Sequence, residues 1–255
     1  MESGGRLGAR FPRCLKRQET AWQGIASQQA WRTGRCGGAI LRPATRRLIS
    51  YSRWLVIQAM RTIEIRRHSY TKKGEARGKG SHLSAQGVAL AREIGNHIGP
   101  FDLVLTSHIP RALETAIAMG FAVDEQLESL GDFPPEVIEE IGHHERWEWE
   151  YPFSTFALLV DRGGPTARMG KRQQEAWMNA LESTPANGSV LVISHGRIIE
   201  SGLVTCVPSG DFASWGAPFR HCEGVKMNYA GGRFSDVQFK RGAHGIPADR
   251  QMARS

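Results

Sequence analysis

Cysteine is scarce in this sequence, acidic residues are nearly missing from its first quarter, and long apolar runs are absent. The four cysteines among 255 residues are Cys14, Cys36, Cys206 and Cys222. None stands in a C-x-x-C pair or another metal-ligand spacing, so no metal is expected. The density is too low for a disulfide framework, which makes a reducing cytoplasm the default expectation. No apolar stretch approaches the ~20 residues of a membrane span, and no secretory apolar core stands near the amino terminus. A membrane partner is therefore not expected.

The shortage of acid is local. Residues 1–59 carry 11 Lys/Arg against only Glu2 and Glu19, a net +9, whereas residues 60–255 hold 22 basic and 23 acidic side chains, a net −1. The overall charge of +8 thus belongs to the first segment, and nucleic acid is expected to touch the chain only there. That segment is rich in Arg, Gly, Ser and Gln with scattered Trp and shows no sustained period. It reads as a disordered basic extension, with three origins open: a tail for an anionic partner, a transit-like leader, or upstream sequence read through from an early start. Met60, directly before RTIEIRRH, favours the last and opens the expected catalytic domain, 60–255.

From Met60 the pattern becomes regular. RTIEI is a short strand. LSAQGVALAREIGNHI (83–98) places Val88, Ala91, Ile94 and Ile98 on one helical face, with Ser84 as N-cap and Gly99-Pro100 as the stop. FDLVLTS (101–107) reads as a buried strand and RALETAIAMG (111–120) as a short helix closed by Gly120. Residues 121–152 read as acidic, aromatic and irregular, and 165–183 as helix. SVLVIS (189–194) is the most apolar strand and should be central. RIIESGLV (197–204) opens a helix, and 225–239 form a hairpin around Ala230-Gly231-Gly232. Alternating strands and helices imply βα units and a largely parallel sheet, whose ligands sit at the carboxyl ends of the strands. RRH, SHIPR and SHG each follow a strand. Three strand ends therefore deliver Arg67, His68, Arg111 and His195 toward one crevice.

Two arginines and two histidines suit a phosphate. Guanidinium pairs its planar donors with phosphate oxygens and stays charged. Neutral imidazole is a nucleophile near neutral pH. Attack on phosphorus yields a phosphohistidine that water or another acceptor discharges, and the arginines offset charge on the transferring group. A carboxylic acid is needed to protonate the leaving oxygen. No cofactor is needed.

RRHSYT (66–71), LSAQG (83–87), SHIPRALETA (107–116) and VLVISHG (190–196), in this order, resemble the histidine phosphatase superfamily with its phosphoglycerate-mutase-like fold. The resemblance implies a three-layer α/β/α sandwich with a mainly parallel central sheet. It implies a metal-independent phosphatase, a phosphoric monoester hydrolase, with His68 as nucleophile. Arg67, Arg111 and His195 would hold the phosphoryl group, and Thr71 and Ser107 would complete substrate binding. Arg66 should point to the opposite face of its strand. The pattern departs from the family at three places. Ser69 replaces the usual Gly of the Arg-His-Gly motif. Gly74 stands where mutases carry an asparagine, in a loop unlike theirs. QLESLGDF (126–133) is one residue short of the family's acid-bearing segment, where Glu128 is the expected acid and Glu125 and Asp124 are alternates. A phosphoglycerate mutase with the same intermediate is the alternative, and an inactive phosphate- or nucleic-acid-binding module is a further one. The expected partner is a small phosphorylated molecule. Sugar phosphates, phosphoglycerates, nucleotides and phosphoproteins all suit a two-arginine cradle.

Other clusters read less specifically. His143-His144-Glu145 reads as an exposed polar patch, because neighbouring helical residues point apart. KKGEARGKG (72–80) is a solvated loop placed to attract anions. WEWEYPF (147–153) fits either a wall over the substrate or the packing of an insertion.

Overall fold

The computed structural model describes residues 59–72, 80–141 and 149–242. The basic extension, the His143-His144-Glu145 cluster and Lys73–Lys79 of the basic loop lie outside the described residues. No described helix is long and apolar enough to cross a membrane.

Six strands form one sheet: β1 (Arg61–Arg67), β2 (Leu103–Ser107), β3 (Glu125–Leu127), β4 (Ser189–Ser194), β5 (Gly224–Ala230) and β6 (Arg233–Lys240), in the order β3-β2-β4-β1-β5-β6. The β2–β3, β2–β4 and β1–β4 pairings are parallel, and the hairpin β5–β6 adds antiparallel pairings at one edge. The sheet is mostly parallel, and SVLVIS lies inside it between β1 and β2. Val190, Leu191, Val192 and Ile193 are all fully buried, as a strand covered on both faces requires.

Helices cover both faces. On one lie α1 (Ala85–Gly95) and α2 (Pro110–Ala118), whose Ala91, Ile94, Ala112 and Ala116 pack on Val104, Leu191 and Ile193. On the other lie α3 (Pro135–Ile141), α4 (Pro152–Asp161), α5 (Pro165–Ser183) and α6 (Ile198–Cys206), which meet Ile63, Ile65, Val190 and Val192. This is the expected three-layer sandwich.

Helix α1 starts as its sequence dictates: the Ser84 hydroxyl accepts from Gly87 N at 3.0 Å. It ends earlier than the apolar pattern suggests, at Gly95, so Ile98 is half-buried beyond it and Val88 is only half-buried. Gly87 takes the place on the inner face, where a Cβ would stand 2.0 Å from the Tyr70 carbonyl oxygen. The segment expected to be irregular is partly ordered. Residues 125–127 add an edge strand, Glu128–Leu130 form a 3₁₀ turn, and α3 follows. A strand of three residues and a helix of seven are too short to impose a visible period, which is why the sequence pattern missed them. WEWEYPF resolves toward packing where it is described: Phe153 is fully buried and Trp149 meets Phe156 edge-on, with ring centroids 5.4 Å apart.

Candidate active site

Strand β1 alternates faces through its last residues. Arg66 turns to the α1–α2 side, where its Nε donates to Glu64 at 2.5 Å and its Nη1 to the Cys222 carbonyl at 2.7 Å. Arg67 turns the other way, and its Nη1 donates to the Phe219 carbonyl at 2.7 Å. Phe219 is itself held at both ends. Its N–H donates to Glu200 Oε1 at 2.9 Å, and its ring sits 5.6 Å from that of Phe153 and 5.9 Å from that of Phe239. Glu200 is fully buried, also accepts from Arg197 N, and is pushed up in pKa chiefly by burial. A buried carboxylate and an aromatic cluster thus fix the carbonyl that aims Arg67.

His68 follows immediately, buried at 7% exposure. Its Nδ1 lies 2.8 Å from the Ser69 carbonyl oxygen, which can only accept, so Nδ1 carries the proton and Nε2 presents a lone pair. Arg111 Nε donates to that Nε2 at 3.1 Å. Ser69 is fixed in turn: its N–H donates to Thr115 Oγ1 at 2.9 Å and its hydroxyl to the Gly87 carbonyl at 2.7 Å. Thr115 Oγ1 donates onward to the Arg111 carbonyl at 2.6 Å. The threonine of SHIPRALETA therefore ties the loop that carries His68 to the helix that carries Arg111.

His195 sits at the carboxyl end of β4, its ring centroid 5.1 Å from that of His68. Its Nε2 lies 2.7 Å from Ser107 Oγ, which also accepts from Ile109 N at 3.3 Å. Donation of the serine proton to Nε2 satisfies the hydroxyl and leaves Nδ1 as an N–H donor. That Nδ1 is buried and meets no partner among the described residues, and the same holds for Arg67 Nε. Gly196 makes room for this arrangement, since a Cβ there would stand 3.3 Å from three atoms of the Arg67 guanidinium.

Charge and burial act together on the imidazoles. His68 lies well below the ordinary histidine range, first through burial, then through His195, Arg67 and Arg111. His195 is lowered to about 3 by burial and by the same two arginines. Both rings are neutral at physiological pH. Arg67 and Arg111 are also lowered by burial, which leaves guanidinium charged in any relevant range.

The structure thus brings Arg67, His68, Ser107, Arg111 and His195 together. Thr71, half-buried, bridges antiparallel to Leu83 beside the loop. Glu128 stands past the carboxyl end of β3, whose Leu127 pairs with Ser107, so it is at the same end of the sheet as the site. It is exposed, and the described contacts do not join it to these five residues. Asp124 belongs to the opposite end, accepting from Val104 N at 2.8 Å near the start of β2, and Glu125 is exposed within β3. Sequence reasoning missed Thr115, Glu200, Phe219 and His221. Thr115 had a signal, its place in the SHIPRALETA motif; Glu200 had a faint one, a carboxylate within an apolar helix. Phe219 acts through its backbone and had none.

Comparison with known proteins follows this geometry. The histidine phosphatase superfamily (branch 1) matches residues 63–240, more than half of the chain. No curated protein matches. Among solved structures, a mutant phosphoserine phosphatase from Entamoeba histolytica in complex with phosphoserine superposes with a TM-score of 0.53 at 16% identity, covering 72% of this chain and 99% of that one. The Entamoeba histolytica phosphatase in complex with 3-phosphoglyceric acid gives the same values. A phosphoglycerate mutase from Bacillus anthracis str. Sterne superposes with a TM-score of 0.50 at 18% identity, covering 71% and 93%. At these identities the structural likeness is one of fold. The matched span holds every strand-end residue described above, and the chain belongs to the histidine phosphatase superfamily, branch 1.

Proposed function

We propose that this protein is a phosphatase that hydrolyses a phosphomonoester through a phosphohistidine on His68. One observation carries the reading: the Nε2 lone pair of a neutral, buried His68 is framed by cationic Arg111 and by two buried donors without partners, Arg67 Nε and His195 Nδ1. Buried donors without acceptors are uncommon in folded proteins. An anion with three peripheral oxygens would satisfy them.

On this reading a bound phosphoryl group draws the Arg111 guanidinium onto its oxygens and frees Nε2 for in-line attack. Arg67, Arg111 and His195 hold the equatorial oxygens as charge redistributes, and they need little rearrangement because their supports are already in place. The Ser69 carbonyl, accepting from Nδ1–H, stabilises the charge His68 acquires on phosphorylation. Thr71, beside the loop that carries His68, is within the part of the site left for the substrate's organic group. Small phosphorylated molecules suit the site best as a class, and the relatives bound to phosphoserine and 3-phosphoglyceric acid are in keeping with that.

The full chain should release phosphate from 4-nitrophenyl phosphate with a chelator present. His68→Ala should lower the rate by at least about 10³-fold, as removal of a nucleophile does elsewhere, and should abolish an alkali-stable phosphoenzyme. Activity that survives in His68→Ala would refute the mechanism. Return of the phosphoryl group to the substrate rather than to water would assign a mutase.

A further inference from the structure

The site holds a third imidazole that the sequence motifs do not contain. His221 lies 5.5 Å from His68, ring centroid to centroid, at an edge-on 67°, and 4.4 Å from the ring of Tyr70. The backbone immediately after it is sewn to the strand that carries Arg67. Cys222 N donates to the Arg67 carbonyl at 3.0 Å, and Arg67 N donates to the Glu223 carbonyl at 2.8 Å. Cys222 itself adopts a left-handed φ of 60°, a strained conformation for a non-glycine residue. The chain therefore accepts strain at the residue that turns His221 toward His68.

His195 and His221 flank His68 differently. His195 is buried and tethered through Ser107, with its free N–H among the donors for phosphoryl oxygens. His221 is half-buried, held by ring packing, and neither ring nitrogen has a hydrogen-bond partner among the described residues. The phosphoryl oxygens are already served by Arg67, Arg111 and His195. The organic part of a substrate must project toward solvent, and His221 is more exposed than the buried His195. His108, by contrast, is exposed and makes no ring contact with His68.

We infer that His221 is the proton donor to the leaving oxygen, in place of Glu128. This rests on the phosphohistidine reading above. His68 Nε2 forms a bond to phosphorus as the ester P–O bond breaks, and the departing oxygen takes a proton from the His221 imidazolium. Neutral His221 then accepts a proton from the attacking water as the P–N bond breaks, releasing inorganic phosphate and restoring both rings. His221 is lowered to about 4, by burial first and then by Arg67 and Arg111. A phosphate dianion between those arginines offsets their field and favours protonation of His221 when substrate is bound.

The test exploits leaving-group chemistry. A nitrophenolate leaves without help, whereas an alkoxide needs a proton. Wild type, His68→Ala, Glu128→Gln and His221→Asn, all as full chains, are compared on 4-nitrophenyl phosphate and glycerol 2-phosphate. His221→Asn should lower kcat for the alkyl ester about 10²-fold more than for the aryl ester, the scale of general acid catalysis. Titration with inorganic phosphate should show its anion site intact. Equal losses on both esters, or a selective loss in Glu128→Gln instead, would overturn the assignment. Should His221→Asn fail to fold, His221→Gly with added imidazole replaces it. Selective rescue of alkyl turnover supports the role, and equal or absent rescue of the two esters refutes it. A normal phosphoenzyme with an unmoved alkyl-to-aryl ratio removes only His221. Failure of wild type on both esters, or survival of activity in His68→Ala, removes the underlying mechanism as well.

Discussion

A single hydroxyl shows how much of the chemistry depends on support. Thr115 Oγ1 accepts from Ser69 N and donates to the Arg111 carbonyl. Ser69 in turn supplies the carbonyl that sets the His68 tautomer. Thr115→Val keeps the shape and removes both bonds, leaving the Ser69 N–H buried without an acceptor. The expected cost is about 1–3 kcal/mol of stability, read as a lowered urea midpoint. The rate of phosphoenzyme formation should fall with it, because His68 loses its orientation. A valine variant with unchanged stability would show that Ser69 finds another acceptor. Ser69 also explains why the usual glycine is dispensable here. Its side chain is not merely tolerated, since it donates to the Gly87 carbonyl at the start of α1.

At the scale of elements, the contact between α1 and the loop after β1 sets the position of the site. Gly87 lets the helix approach so closely that a methyl group would lie 2.0 Å from the Tyr70 carbonyl oxygen and 2.9 Å from its carbon. Both are backbone atoms and cannot rotate away. Gly87→Ala should therefore destabilise the fold by about 3 kcal/mol, the upper range of overpacking, and displace Ser69–Thr71. A thermal melt and the KM for 4-nitrophenyl phosphate check this. An unchanged melting temperature would mean that α1 can slide. The LSAQG pattern was legible in the sequence as an N-cap and a helix start, and both are present. What the pattern did not reveal is why its glycine is needed, because Tyr70 lies on a different element.

For the molecule as a whole, three neutral imidazoles beside two guanidiniums carry a cost in acid. His68, His195 and His221 are all lowered from the ordinary histidine value, His195 to about 3 and His221 to about 4. Above about pH 6.5 neither the folded nor the unfolded chain protonates these rings, so they do not affect stability. Below that value the unfolded chain takes up protons that the folded chain refuses. Stability should then fall toward about pH 4, by up to about 1.4 kcal/mol per pH unit for each histidine. Urea unfolding at pH 7.5 and at pH 5 should show the loss, and saturating inorganic phosphate should reduce it by offsetting the arginines. Equal stability at the two pH values would mean that the imidazoles are not held neutral.

The sequence by itself determined the family, the layers and most of the elements. Strand and helix periods are local, and motif residues at strand ends converge whenever the strands are parallel neighbours. SVLVIS could be placed at the centre from its unbroken apolar run, and Arg66 on the far face from alternation alone. Tertiary structure decided what those residues lean on. Phe219 aims Arg67 from 152 residues away, and Thr115 holds Ser69 from 46 residues away. Neither distance leaves a period in the chain. His221 sits in a loop with no motif around it, and the pairing of β5 with β1 brings it beside His68. Backbone carbonyls, close approaches and ring contacts between distant segments arise when the chain has already packed, so the local pattern of side chains does not encode them.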